Sequence, residues 1–96
     1  MTYSLAFKKS AQKEWSKLGS TVREQFKKKL IERLENPHVP AARLSGADNI
    51  YKIKLRQSGY RLVYQVEDNI ITVVVLSVGK RERSEVYKAA ISRVEQ

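Results

Sequence analysis

The stretch YKIKLRQSGYRLVYQ, residues 51–65, sets Lys52, Lys54 and Arg56 at every second position between Tyr51, Ile53 and Leu55, with Arg61 just beyond a turn. A second stretch, SVGKRERSEVY, adds Lys80, Arg81 and Tyr87. Ammonium, guanidinium and phenol groups gathered in one groove are suited to a phosphodiester. A guanidinium stays protonated and presents a fork of donors, so Arg61 and Arg81 fit the task of clamping the extra negative charge of a phosphorane. Lysine and tyrosine, with ordinary pKa values of about 10, are poor bases at neutral pH unless shifted. Crowding by cations lowers a lysine, and a nearby guanidinium favours tyrosinate. RNA is the substrate these groups suit best, because its own 2′-OH can attack the adjacent phosphate. The protein has only to orient that hydroxyl, take its proton, stabilise the added charge and protonate the leaving 5′-oxygen.

Other chemistries find less support. Glu67 and Asp68 fall in a turn and Glu82 and Glu85 lie apart from them, so the acids are too scattered for a two-metal nuclease, and no metal or other cofactor is expected. His38, the sole histidine, stands between two prolines and reads as a bystander, since one imidazole cannot supply both proton transfers alone. A site with such mediocre acids and bases must depend on substrate placement, which contributes about 7–11 kcal/mol when reacting groups are well oriented. An external scaffold could provide that placement. The bland alternative is that lysines on exposed strand positions only discourage edge-to-edge aggregation.

These side chains need elements to carry them. Tyr3, Leu5 and Phe7 alternate with small residues, as in a half-buried strand. Ala11, Trp15 and Leu18 then fall at helical spacing, with Gly19 as the expected stop. A second helix restarts at STVREQ, where Ser20 or Thr21 reads as N-cap and Glu24 completes a capping box with Thr21. Val22, Phe26, Leu30, Ile31 and Leu34 form its apolar stripe, and Asn36-Pro37 ends it. NPHVPAARLSGADN reads as a loop with one helical turn around 41–44. The opening stretch supplies a hairpin turning at Gln57–Gly59, and a turn at Glu67–Asn69 leads to IITVVVLSV, a β-branched run expected at the centre of the sheet. After Gly79 a last helix is expected, with Ser84 as N-cap and Val86, Ala90 and Val94 or Ile91 inward. The order β-α-α-β-β-β-α predicts an α+β fold. A helical hairpin would cover one face of a four-stranded, mostly antiparallel sheet and leave the other partly open.

Alternation along a strand puts Lys52, Lys54 and Arg56 on the face away from Ile53 and Leu55, and Arg61 joins them across the turn. Residues 50–66 hold four basic side chains and no acid. The whole chain repeats that bias, with 19 Lys and Arg against 10 Asp and Glu, a formal charge of +9 and a pI near 10. This is the signature of a polyanion binder, with nucleic acid first and an acidic protein second. At 96 residues the chain suits a single domain, 1–96. It has no cysteine, no apolar run of about 20 residues and no secretory pattern in MTYSLAFKKS, which together predict a cytoplasmic protein with no membrane partner.

Three blocks, KEWSKLGSTVREQFKKKLIERLENP, YKIKLRQSGYRLVYQV and SVGKRERSEVYKAA, closely resemble the RelE toxins of bacterial toxin–antitoxin systems, in the RelE/ParE superfamily. The resemblance covers nearly the whole chain and is loosest at HVPAARLSGADN and EDNIIT. It implies a RelE-like RNase fold and an mRNA interferase that enters the ribosomal A site, against 16S rRNA, and cuts the positioned codon of mRNA to a 2′,3′-cyclic phosphate, or its 3′-phosphate product, and a 5′-OH. By position it implies catalysis by Lys52, Lys54, Arg61, Arg81 and Tyr87. Arg61 and Arg81 would hold the phosphate, Tyr87 would stack on a base or position the 2′-OH, and Lys52 or Lys54 would move protons, with Tyr87 also a candidate base. Arg56 and Lys80 would hold rRNA or the mRNA backbone. Lys27, Lys28 and Lys29 read either as a solvated helix face or as further RNA contacts. The resemblance also implies a RelB-like antitoxin that wraps the toxin and displaces its last helix, and operator DNA bound through the antitoxin complex. The alternatives are a ParE-like inhibitor of DNA gyrase, which needs no catalytic groove, and an RNA-binding module that blocks translation by occupancy alone.

Overall fold

The computed structural model describes residues 2–44, 48–80 and 85–94, and of residues 85–87 and 89 the backbone only. Strand β1 (Ser4–Phe7) leads into α1 (Lys9–Ser16) and α2 (Ser20–Glu35). A 3₁₀ turn (Pro40–Ala42) precedes β2 (Ile50–Leu55) and β3 (Tyr60–Glu67). A second 3₁₀ turn (Asp68–Ile70) precedes β4 (Thr72–Lys80), and α3 (Glu85–Val94) follows. The sheet order is β1-β4-β3-β2, with β1 parallel to β4 and the other neighbours antiparallel. The expected α+β order and the central place of the β-branched strand both hold.

The helical hairpin covers one face of the sheet, and the other is partly open as expected, covered by α3 over part of its area and exposed at Lys54. On one face Tyr51, Ile53, Leu55, Leu62, Tyr64, Val73 and Val75 pack with Ala11, Leu18, Phe26 and Leu30 of the helical hairpin. On the other, Ile50, Val63 and Leu76 pack with Ala90 of α3, helped by Leu44, Val74 and Val94. The pairing register shifts between Val63 and Tyr64. Such an irregularity re-aims the following side chains, and here Leu76 joins the α3 cluster while Val75 and Val78 join the hairpin cluster.

Several local expectations differ. Gly19 is the N-cap of α2 with ordinary φ (−64°), and no side-chain capping bond forms at Ser20 or Thr21. The Gly19 carbonyl already accepts the first helical bond, from Arg23 N–H at 3.0 Å, which draws Ser20 inside the helix. Ile31 is 58% exposed, because it lies about 100° round the helix from Leu30, off the Phe26–Leu30–Leu34 line. Strand β4 begins at Thr72, since Ile71 adopts a left-handed conformation (φ 48°) that cannot continue a strand. In α3, Ala90 is buried while Ile91 is 44% exposed. The Ser84 cap and the Val86 side chain lie outside the described residues.

Candidate nucleic-acid site

The hairpin register builds the site. Lys54 on β2 stands directly opposite Arg61 on β3, and Arg61 opposite Gly79 on β4. Directly opposed residues of antiparallel strands share a face, so this row crosses three strands and ends on a residue with no side chain. Lys52 shares the face one step further, opposite Val63, which α3 covers. Lys54 is exposed and Lys52 and Arg61 are half-buried, so the face opens toward the β2–β3 turn. That turn carries Arg56, with Gly59 in the left-handed region (φ 77°) that glycine adopts at no steric cost.

Two clefts meet at this turn. One, of about 270 Å³, is lined by Lys54, Arg56, Gly59 and Arg61. The other, of about 480 Å³, lies between α2 and the turn, lined by Gln25, Lys28, Lys29 and Glu32 together with Lys54, Arg56, Gln57 and Ser58. Lys54 and Arg56 line both, so basic side chains extend from the sheet face round the turn to α2, with Glu32 the one acid in the lining of either cleft. Gln25, Lys28, Lys29 and Glu32 recur at helical spacing on one side of α2. Gln25 and Glu32 were absent from the sequence-based set, although that spacing alone would have found them.

Not every expected residue joins. Lys80 pairs with Tyr60, and its ammonium lies 6.0 Å from the centre of the Tyr60 ring. Alternation along β4 puts it on the face opposite Gly79. Lys27 lines a separate apolar groove with Leu5, Phe7, Trp15 and Leu30. Arg81 and the Tyr87 side chain lie outside the described residues, while the Tyr87 backbone is the third residue of α3. Among the described residues no three His, Cys, Asp or Glu side chains come together in a way that could hold a metal ion.

A polar network holds β2 in register beneath this face. Arg33 Nη1 donates to the Tyr64 hydroxyl (2.8 Å) and, at 3.4 Å, to the Lys52 carbonyl, and the Tyr64 hydroxyl donates to the Pro37 carbonyl (2.8 Å). Burial pushes the Tyr64 phenol above its usual range, partly opposed by the Arg33 guanidinium. Tyr51 stacks on Tyr64 with ring centres 5.6 Å apart and meets His38 Nδ1 at 2.8 Å. A carboxylate only accepts, so His38 Nε2–H donates to Asp68, at 2.9 Å from Oδ1, and the Tyr3 hydroxyl donates to the same carboxylate at 2.7 Å. His38 therefore ties the loop after α2 to β2 and to the end of β3, at the opposite end of the hairpin from its turn.

Asp68 carries a testable consequence. The hydrogen bond from His38, then that from Tyr3, holds its carboxyl below the usual value of 3.8. A depressed folded-state pKa stabilises the fold above the unfolded pKa, and that contribution disappears as pH falls through the folded one. Asp68→Asn should lower the thermal midpoint at pH 7 and flatten its fall below about pH 5. Midpoints measured from pH 7 to pH 3 check this, and parallel curves for the two proteins would refute it.

Comparison with known proteins sets this geometry in a family. A profile described as the ParE toxin of the type II toxin–antitoxin system parDE matches residues 5–85. The mRNA interferase toxin RelE of Escherichia coli K12 is 63% identical over 94 residues, which are 98% of this chain and 99% of that protein. The mRNA interferase RelE of Shigella flexneri has the same identity and coverage. A solved structure of a variant E. coli RelE toxin in the free state superposes with a TM-score of 0.91 at 61% identity, covering 98% of this chain and 99% of that one. The toxin in the intact E. coli RelBE toxin–antitoxin complex superposes with a TM-score of 0.81 at 63% identity, covering 84% and 99%. With sequence, coverage and fold in agreement over almost its full length, the chain belongs to the ParE toxin family of type II toxin–antitoxin systems and, within it, to the RelE toxins.

Proposed function

We infer that this protein is an mRNA interferase toxin, a cytoplasmic endoribonuclease that cuts mRNA placed in the ribosomal A site and so stops translation. The observation that carries the reading is the Lys54–Arg61–Gly79 row, two cations side by side where the face opens toward the turn, next to a strand residue with no side chain. The 63% identity to proteins named as mRNA interferases supports the same reading.

In the mechanism, the substrate's 2′-oxygen attacks the adjacent phosphorus as its proton passes to a base, Lys52, Lys54 or Tyr87. Arg61 and Arg81 hold the non-bridging oxygens while the phosphorane carries added charge. The P–O5′ bond breaks, a proton reaches the departing 5′-oxygen, and the products are a 2′,3′-cyclic phosphate and a 5′-OH. The ribosome supplies the alignment that such weak acids and bases need. The clefts beside the turn hold flanking RNA, with Arg56, Lys28 and Lys29 on backbone phosphates and 16S rRNA. Lys27 and Lys80 contribute at longer range, through the overall field. A RelB-like antitoxin neutralises the toxin, and the pair represses its own operator with the antitoxin on the DNA. In solved E. coli structures the RelE toxin is seen with RelB and with a RelB peptide.

The test is to map mRNA ends after incubation with programmed ribosomes, on one template carrying a 2′-deoxy nucleotide at the cut. Cleavage that disappears with the 2′-OH is the expected result, and cleavage that survives its loss would overturn the mechanism. A second reading, inhibition of DNA gyrase, draws on the ParE name of the matching profile. Uncut mRNA together with poisoned gyrase would favour it.

Arg56→Ala should act on binding. Losing one phosphate contact weakens ribosome association and reduces the slope of log affinity against log salt by about 1, with the single-turnover rate preserved. Titrations at several salt concentrations measure the slope, and an unchanged slope would take Arg56 off the RNA.

A further inference from the structure

Strand β1 covers β4 only as far as Phe7, which pairs with Val75, and the Lys8 N–H then closes on the Val75 carbonyl at 2.9 Å. Beyond that point two β4 backbone groups on this edge are met by side chains instead of a strand. Val78 N–H donates to Glu14 Oε1 at 3.1 Å, and the Leu76 carbonyl accepts from Arg93 Nη1 at 2.8 Å. The same two side chains pair with each other, Arg93 Nη1 to Glu14 Oε1 at 2.8 Å and Nη2 to Oε2 at 3.2 Å. Glu14 belongs to α1 on one face of the sheet and Arg93 to α3 on the other, so this bidentate pair passes round the edge of β4 and joins the two helical layers. Arg93 is 16% exposed and Glu14 35%, a setting in which a charge-assisted fork is stronger than on an open surface.

The other described side chains of α3 hold it weakly. Among its described side chains only Ala90 is fully buried and only Val94 adds to the cluster. Arg93 is thus the strongest directional attachment among them. It sits six residues after Tyr87, about 9 Å along the helix axis, so a shift at Arg93 is transmitted through a rigid element to the position of Tyr87. We propose that Glu14 and Arg93 are positioning residues for RNA cleavage: their ion pair replaces the missing length of β1, fixes α3 on β4, and thereby sets the position of the Tyr87 backbone relative to the sheet. This rests on the reading in which Tyr87 belongs to the site.

The test compares wild type, Arg93→Ala, Arg93→Lys, Glu14→Ala, Glu14→Gln, Tyr87→Ala and the Tyr87→Ala/Arg93→Ala double variant in single-turnover cleavage on programmed ribosomes. Rate at saturation, half-saturating ribosome concentration and active fraction are recorded separately. Arg93→Ala and Glu14→Ala should lower the saturating rate about 10-fold to 100-fold, with half-saturation within about 3-fold of wild type, since a misplaced catalytic group costs turnover before binding. Arg93→Lys and Glu14→Gln, which keep side-chain size and part of the bonding, should recover part of the rate. They also keep the question answerable should an alanine variant fail to fold. In the Tyr87→Ala background the Arg93→Ala step should cost much less than in wild type, because both act through one group. Wild-type rates in the Glu14 and Arg93 variants beside an impaired Tyr87→Ala would overturn the clasp and leave the reading of the site standing. So would an Arg93→Ala loss that is the same with and without Tyr87. A Tyr87→Ala protein that cleaves at the wild-type rate would instead overturn that reading of the site, and the proposal with it.

Discussion

Arg61→Ala is expected to slow single-turnover cleavage by about 10²-fold to 10³-fold, the cost of losing one donor aimed at developing negative charge. Ribosome affinity should change far less. Arg61 is half-buried and faces Lys54 across the strand pair, and it lines only the smaller cleft, whereas Arg56 lines both. Arg61 therefore stands on a paired strand rather than on a turn, and pre-organisation is what lets a donor favour the transition state over the ground state. Arg61→Lys keeps the charge without the fork and should recover only part of the loss. Arg81→Ala should behave as Arg61→Ala does if both clamp one phosphorane. Rate at saturation and half-saturating ribosome concentration, measured separately, decide the matter. Equal losses of affinity with an unchanged rate would remove Arg61 and Arg81 from the chemistry and leave them as binding contacts.

The Lys54–Arg61 pair was legible in the sequence because two local rules suffice for it. Strand alternation assigns the faces and a short turn sets the register, so residues on either side of Gln57–Gly59 can be matched without knowing anything else. The same alternation, carried onto β4, separates Lys80 from Gly79, a step that grouping Lys80 and Arg81 by adjacency alone had passed over. Where competing contacts decide, the sequence was mute. The capping motif at Thr21 and Glu24 is present, yet the helix starts two residues earlier on the Gly19 carbonyl and the side chains go unused. Periodicity turned Ala90 inward on the last helix, where it is buried, yet it could not say that this helix would cover the second face of the sheet. The Glu14–Arg93 pair joins residues 79 positions apart, one on each side of the sheet, and no periodicity relates them. His38 was read as a bystander to catalysis, and its bonds to Tyr51 and Asp68 show what it does instead, which is to fasten a loop.

Phe26→Ala should destabilise the fold by about 3–5 kcal/mol, the range for removing a buried aromatic ring from a core that only partly collapses. Phe26 has no exposed surface, and its ring centre lies 6.4 Å from that of Trp15, which in turn lies 5.4 Å from that of Phe7. This row of rings ties α2 to α1 and to β1, so the void left by Phe26 opens between elements that have few other ways to meet. The loss is large against a total stability of about 5–15 kcal/mol for a domain. At about 4–8 °C per kcal/mol for a domain near this size, the thermal midpoint should fall by at least about 12 °C. Phe26→Leu, which refills most of the volume, should cost clearly less. The lysines lining the cleft on α2 reach it from this same helix, so the alanine variant should also lose RNA binding as temperature rises, in step with its unfolding curve. Denaturant titrations of the three proteins measure the effect. An alanine variant within about 1 kcal/mol of wild type would mean that α2 is held by its polar contacts, Arg33 above all, and that the aromatic row is incidental to the fold.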